Sequence, residues 1–228
     1  MDWGGGTDNV DTRLRRSAAN VLSMGANQSF RIEGDTSDPG SPEAGQIFYR
    51  SDTDKLKWYD GAEWRQPHIT DKISIVAGTA VANTLTKTTM DSYALLADRI
   101  EDKTNLRFTC RGKGTAFTGT PTVTFTIEAG ANTYITLTTP ALPSGQWFYK
   151  IEADLTCRVV GASGTIYAAA EMTYADSAGT VRTAMDHAGS AVAVDTPAAL
   201  TFNLSGQWSA ASANNRITNQ QFIMEQLN

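Results

Sequence analysis

One stretch constrains the fold more than any other. In Trp147-Phe148-Tyr149-Lys150-Ile151-Glu152-Ala153-Asp154-Leu155-Thr156-Cys157-Arg158-Val159, the residues Trp147, Tyr149, Ile151, Ala153, Leu155, Cys157 and Val159 share one parity. Lys150, Glu152, Asp154, Thr156 and Arg158 share the other. Side chains of a β-strand point alternately to opposite faces, so this period of two predicts a long antiparallel strand with one buried and one wetted side. Thr122–Ile127 repeats the pattern with Val123, Phe125 and Ile127 inward. So do Ile166, Ala168, Ala170, Met172 and Tyr174, and then Leu200, Phe202 and Leu204. Leu106–Cys110, Tyr134–Leu137 and Ile217–Leu227 complete the set.

Gly, Pro, Asn and Ser turns separate these runs, and no convincing helix lies between them. Abundant Thr, Ala, Gly and Ser, with sparse Lys, Glu and Leu, agrees with a pleated, turn-rich chain. The expected fold is all-β: an antiparallel β-sandwich of jelly-roll type over residues 71–228. Ser92–Ala97 is read as one helical turn at most.

Two further segments precede the sandwich. In residues 41–70, Gln46–Arg50 and Leu56–Tyr59 flank the Asp/Thr-rich reversal Ser51–Lys55, and Asp60-Gly61 makes a second turn, the signals of a small β-hairpin module. Residues 1–40 carry no sustained apolar period and finish in the linker run Gly34-Asp35-Thr36-Ser37-Asp38-Pro39-Gly40-Ser41-Pro42, whose two prolines and two glycines leave no room for a ladder or a helix. Thr12–Arg16, Asn20–Met24 and Ser29–Glu33 read as short extended pieces, with a helical turn through Ser17–Leu22 as the competing reading. So little apolar surface cannot offset its own ordering entropy, so this stretch is expected to be an extended arm that docks on a partner. Its candidate attachment residues are Trp3, Arg13, Leu14, Arg15, Arg16, Val21 and Leu22.

Function classes are narrowed mainly by what is missing. A net charge of −5 argues against nucleic acid and anionic membranes as partners. No apolar run approaches the ~18–20 residues that span a bilayer. The Met1-Asp2-Trp3-Gly4 start lacks a basic-then-apolar leader, so a soluble product made in the cytoplasm is expected. Cys110 and Cys157 sit at apolar strand positions and are expected as buried free thiols. Asp52 and Asp54 have calcium-loop spacing, but Leu56 stands where an oxygen ligand is needed and Lys57 where the loop needs Gly. No metal or other cofactor is expected.

Catalysis finds little support. His68 and His187 are the only histidines, His187 is expected in a loop, and neither accompanies a nucleophile elbow. Glu152 and Asp154 share a strand face at roughly 7 Å between Cα atoms, and are read as solvated charges beside Lys150 and Arg158 rather than a glycan-cleaving pair. Gly112-x-Gly114 opens no helix and has no phosphate-binding Lys after it, which excludes a P-loop. The chain is read as non-enzymatic.

One oddity remains on the wetted side. Tyr167 and Ala169 occupy a nominally polar face, and Phe222 and Met224 alternate against Ile223. Strands apolar on both faces are buried twice over or lie at a subunit contact, so Tyr167, Ala169, Phe222 and Met224 are the candidate interface residues.

Two stretches resemble bacteriophage fibre, head-fibre and decoration proteins. Ala44-Gly45-Gln46-Ile47-Phe48-Tyr49-Arg50 through Lys55-Leu56-Lys57-Trp58-Tyr59-Asp60-Gly61-Ala62-Glu63-Trp64 looks like the small tyrosine–aspartate–glycine–tryptophan hairpin of virion fibres. Arg16–Leu22 is similar to the spacer before such modules. Ser205-Gly206-Gln207-Trp208 through Asn215, with Val160–Thr165, is similar to the C-terminal jelly-roll of phage minor tail, head-fibre and decoration proteins. The resemblance implies a homotrimer shaped like the tumour-necrosis-factor-like jelly-rolls, at the virion surface, bound to other virion proteins through residues 1–40. With no long shaft and no large adaptor domain, a short appendage, head fibre or capsid cement protein fits better than a long tail fibre. The alternative expectation is a receptor-binding protein for a host-surface glycan or protein, with Trp208, Tyr93 and Phe117 as candidate sugar-stacking rings.

Overall fold

The computed structural model describes residues 14–18, 21–24, 32, 34–51, 55–62, 64–66, 69–74, 76–116 and 120–227. Two compact units divide the chain, Met1–Ala62 and Glu63–Asn228. Among the described residues there is no helix, and so none long and apolar enough to cross a membrane.

In the first unit, β1 (Leu14–Ala18) pairs antiparallel with β2 (Val21–Met24), Arg16 opposite Leu22. Extended chain therefore prevails over a helical turn here; Ser29–Glu33 lies outside the described residues except for Ile32. β3 (Gly34–Asp35) runs parallel to β4 (Ile47–Arg50), which pairs antiparallel with β5 (Lys55–Tyr59), Ile47 opposite Trp58 and Tyr49 opposite Leu56. Gly61, at φ +103°, turns the chain after β5, and Asp60 Oδ1 accepts the Ala62 N–H at 2.9 Å.

The second unit contains β6 (Trp64–Arg65), β7 (Ile69–Ser74), β8 (Val81–Ala82), β9 (Thr88–Leu95), β10 (Asn105–Ala116), β11 (Val123–Ala129), β12 (Asn132–Thr138), β13 (Gly145–Val159), β14 (Gly164–Ala175), β15 (Val181–His187), β16 (Val192–Val194), β17 (Leu200–Trp208) and β18 (Arg216–Gln226). The larger sheet runs β15-β14-β13-β10-β18-β7, with β16 on β14 and β8 on β18; the smaller runs β12-β11-β17-β9. All their pairings are antiparallel. Set β8 and β14–β16 aside, and of the strands β7, β9–β13, β17 and β18 the first pairs with the last, the second with the seventh, the third with the sixth and the fourth with the fifth. That nested pairing is a jelly-roll, with a hairpin added at the β13 edge.

Rings fill the space between the sheets. Phe108 and Tyr149 of the larger sheet meet Phe202 and Phe125 of the smaller at centroid distances of 5.3 and 4.6 Å, and Trp147 meets Trp208 edge-on at 6.4 Å. Gly112 and Gly114 explain themselves here: they lie opposite Tyr149 and Trp147, and a Cβ on either would come within 2.5 Å of those rings. The Gly-x-Gly is thus a cradle for two aromatics in a continuous strand.

Several local readings change. Ser92–Leu95 belongs to strand β9, because pairing with β17 outranks a weak helical preference. His187 closes β15 rather than occupying a loop. Val159 is 52% exposed, because a register shift between Cys157 and Val159 ends the alternation two residues early. Cys110 and Cys157 are buried free thiols.

Candidate functional site

The described surface offers three places where side chains gather. The first is the outer face of β13–β15. Cross-strand rows place Asp154, Ala169 and His187 in line, and Glu152, Glu171 and Met185 in the next. Ala169 is too small to fill its place, leaving a depression of about 540 Å³ bordered by Arg107, Glu152, Glu171, Met185 and His187. Both carboxylates weighed for catalysis are engaged: Asp154 accepts from Arg107 Nε at 2.9 Å, and Glu152 pairs with Lys150 at 2.8 Å. The hydrogen bond to Asp154 raises the Arg107 pKa, keeping the guanidinium charged. Asp186 turns the other way and accepts the Thr136 N–H at 2.6 Å, tying β15 to β12. Among the described residues no group of His, Cys, Asp and Glu is arranged to hold a metal ion.

The four interface candidates separate. Tyr167 and Ala169 face outward, Tyr167 half-buried under the Arg158 guanidinium at 5.5 Å from its ring centre. Phe222 and Met224 face inward, both within 1% of full burial in the core, with Phe222 5.9 Å from the Phe108 ring. Their surface is consumed within the chain, and Ile223 is the half-exposed residue between them. The register shift beside Arg111/Gly112 sets this parity, because one extra residue in β18 flips every side chain after it.

The second place lies on the outer face of β10, β13 and β18, where a depression of about 390 Å³ is lined by Lys113, Thr115, Gln146, Phe148, Arg216 and Gln220. Phe148 stands opposite Lys113 and is 57% exposed. The strand's period assigns Phe148 to the wetted face, and an aromatic at such a position is the one legible signal of this place. The sugar-stacking candidates lie elsewhere: Trp208 is core and donates Nε1–H to Val81 O at 3.1 Å, Tyr93 packs half-buried against the core, and Phe117 lies outside the described residues.

The third place is the β4–β5 hairpin, whose polarity is inverted. Lys55 and Lys57 are buried, whereas Ile47, Leu56 and Trp58 are 57%, 43% and 40% exposed and share one face with Tyr49. The buried face is organised by Asp38, whose carboxylate takes Lys57 Nζ and Arg50 Nη1, each at 3.1 Å. Of the arm candidates, Leu14, Arg15 and Arg16 lie on β1 and Val21 and Leu22 on β2; Trp3 and Arg13 lie outside the described residues, as do Asp52 and Asp54.

No protein-family model matches the chain, and a search of curated proteins finds no match.

Proposed function

We propose that this chain is a non-enzymatic structural protein of a bacteriophage particle, a homotrimeric surface fibre or capsid decoration protein. In this reading the arm of residues 1–40 binds other virion proteins and the jelly-roll faces outward. The supporting observation is the inverted hairpin. Its outer face turns Ile47, Leu56 and Trp58 to solvent, with Tyr49 half-exposed beside them, while Lys55 and Lys57 are buried. Copies of the same face, gathered around a symmetry axis, bury that apolar surface without any second component. The viral assignment is supported by the sequence resemblance over Ala44–Trp64 and Ser205–Asn215.

Light-scattering mass of the intact chain tests the assembly. Three copies are expected for the native protein, and Trp58→Asp is expected to give monomers whose jelly-roll melts as before. A native monomer overturns the trimer. Labelling of intact particles with antibodies against the chain tests the viral setting.

A second reading, recognition of a host-surface glycan, is favoured by one observation: the exposed Phe148 ring in one depression with Lys113 and Arg216.

A further inference from the structure

We propose that the depression around Phe148 binds an acidic saccharide, a sugar unit that carries a carboxylate. The proposal deepens the glycan-recognition reading and is independent of assembly, since every lining residue belongs to the second unit of one chain.

Three neighbouring strands build the site. Lys113 of β10 faces Phe148 of β13 on one side and Thr218 of β18 on the other; one row along, Thr115 faces Gln146 and Arg216. The register shift in β18 leaves Gln220 as an exposed extra residue at the margin. Phe148 therefore forms a wall, Thr218 a nearly buried floor, and two cations and two amides the rim.

Each component matches one part of an acidic sugar. An exposed ring offers a negative π face on which the polarised C–H side of a pyranose packs. Gln146 and Gln220 present both donors and acceptors, as vicinal hydroxyls require. Lys113 and Arg216 are exposed and have no ion-pair or hydrogen-bond partner among the described residues, so their charge is available to a carboxylate. Farther along this face Arg107 is paired with Asp154 and Lys150 with Glu152.

Charge placement also selects against a longer polyanion. Four residues along β13, roughly 13 Å away, the same face carries Glu152 opposite Glu171. A nucleic acid strand, charged at every step, would run into that acidic row, and one ring is not the succession of stacking platforms such strands use. A saccharide that bears a carboxylate only at intervals avoids the conflict.

Titration of the full chain with sialyllactose and tetragalacturonate, followed by calorimetry or ligand-observed NMR, tests the assignment. Lactose, maltotetraose and a short single-stranded DNA serve as comparisons. Saturable binding of at least one acidic probe at millimolar concentration or below is expected, with the neutral sugars weaker. Phe148→Ala and the pair Lys113→Gln with Arg216→Gln should each weaken it about tenfold or more, and Phe148→Tyr should retain it. All three positions are solvent-facing, so melting temperature and mass should not change, which separates loss of the site from loss of the assembly. No binding of either acidic probe, equal binding of the neutral sugars, preference for the DNA, or binding indifferent to Phe148→Ala would each overturn the proposal.

Discussion

Lys57 and Asp38 meet at 3.1 Å on the buried face of the hairpin, while the next residue of β5, Trp58, stands in solvent. The pair explains how a strand can turn its lysines inward: the ammonium keeps a counter-charge, and the same carboxylate also holds Arg50. Asp38→Ala leaves two cations without that partner. Removing one member of a fully buried pair costs about 3–5 kcal/mol, but Asp38 retains 30% side-chain exposure, so a loss of about 1–3 kcal/mol is expected. Hydrogen exchange should show faster amide exchange at Ile47–Tyr59, with β10 and β13 unchanged.

Gly112 and Gly114 give a second prediction. A methyl group at Gly112 would meet the Tyr149 ring and the Thr218 carbonyl, both at 2.4 Å, and one at Gly114 would meet Trp147 at 2.5 Å. Neither ring has room to move, since Tyr149 packs tilted against Phe125 and Trp147 edge-on against Trp208. Gly112→Ala and Gly114→Ala should each destabilise the jelly-roll by about 1–3 kcal/mol, the usual range for overpacking, and alter the near-ultraviolet circular dichroism. A denaturant midpoint that does not move would contradict this account of the motif.

Phe222 and Tyr167 provide a third, because they lie on opposite sides of the larger sheet. Phe222→Ala opens a hole beside Phe108 and should cost about 3–5 kcal/mol. Tyr167→Ala removes only a half-exposed ring under Arg158, and should stay within about 1 kcal/mol. Equilibrium unfolding of both changes made in the Trp58→Asp background, expected to be monomeric, distinguishes core from surface directly.

These positions also show how far the residue pattern could be read. Uninterrupted alternation located β13 and β14 and most of their buried faces. It failed wherever a register shift resets parity: at Val159, and in β18, where the shift turns Phe222 and Met224 inward and Ile223 outward. Strand β10 read as only Leu106–Cys110 because Gly-Lys-Gly looks like a break, and the rings that fill the gap come from β13, more than thirty residues later. The Phe148 depression was invisible for a related reason. Lys113, Phe148 and Arg216 converge only through pairing between strands far apart in the chain. The hairpin inversion, by contrast, was written in the alternation Lys55-Leu56-Lys57-Trp58, but which parity faces inward depends on Asp38.

The buried acids of the core set the behaviour at high pH. Burial is the main cause that pushes the Cys110 thiol well above its ordinary value of 9.0, with the Asp91 charge adding to it; burial raises Cys157 too and takes Tyr134 up to about 12. Each group therefore holds its proton more tightly folded than unfolded. Stability is complete below the unfolded values and falls as pH climbs from about 9 toward the folded ones, because the unfolded chain ionises first. Urea midpoints should be level near neutrality and decline steadily above about pH 9. Replacing Cys110 by Ala should lower stability overall but flatten that decline, since one of the responsible protons is gone. The same burial should keep both thiols unreactive toward a thiol reagent in the native chain at pH 8, with both reacting once denaturant is added. Rapid native-state labelling of Cys110, or a midpoint level through pH 11, would show that the core is more open than its packing indicates.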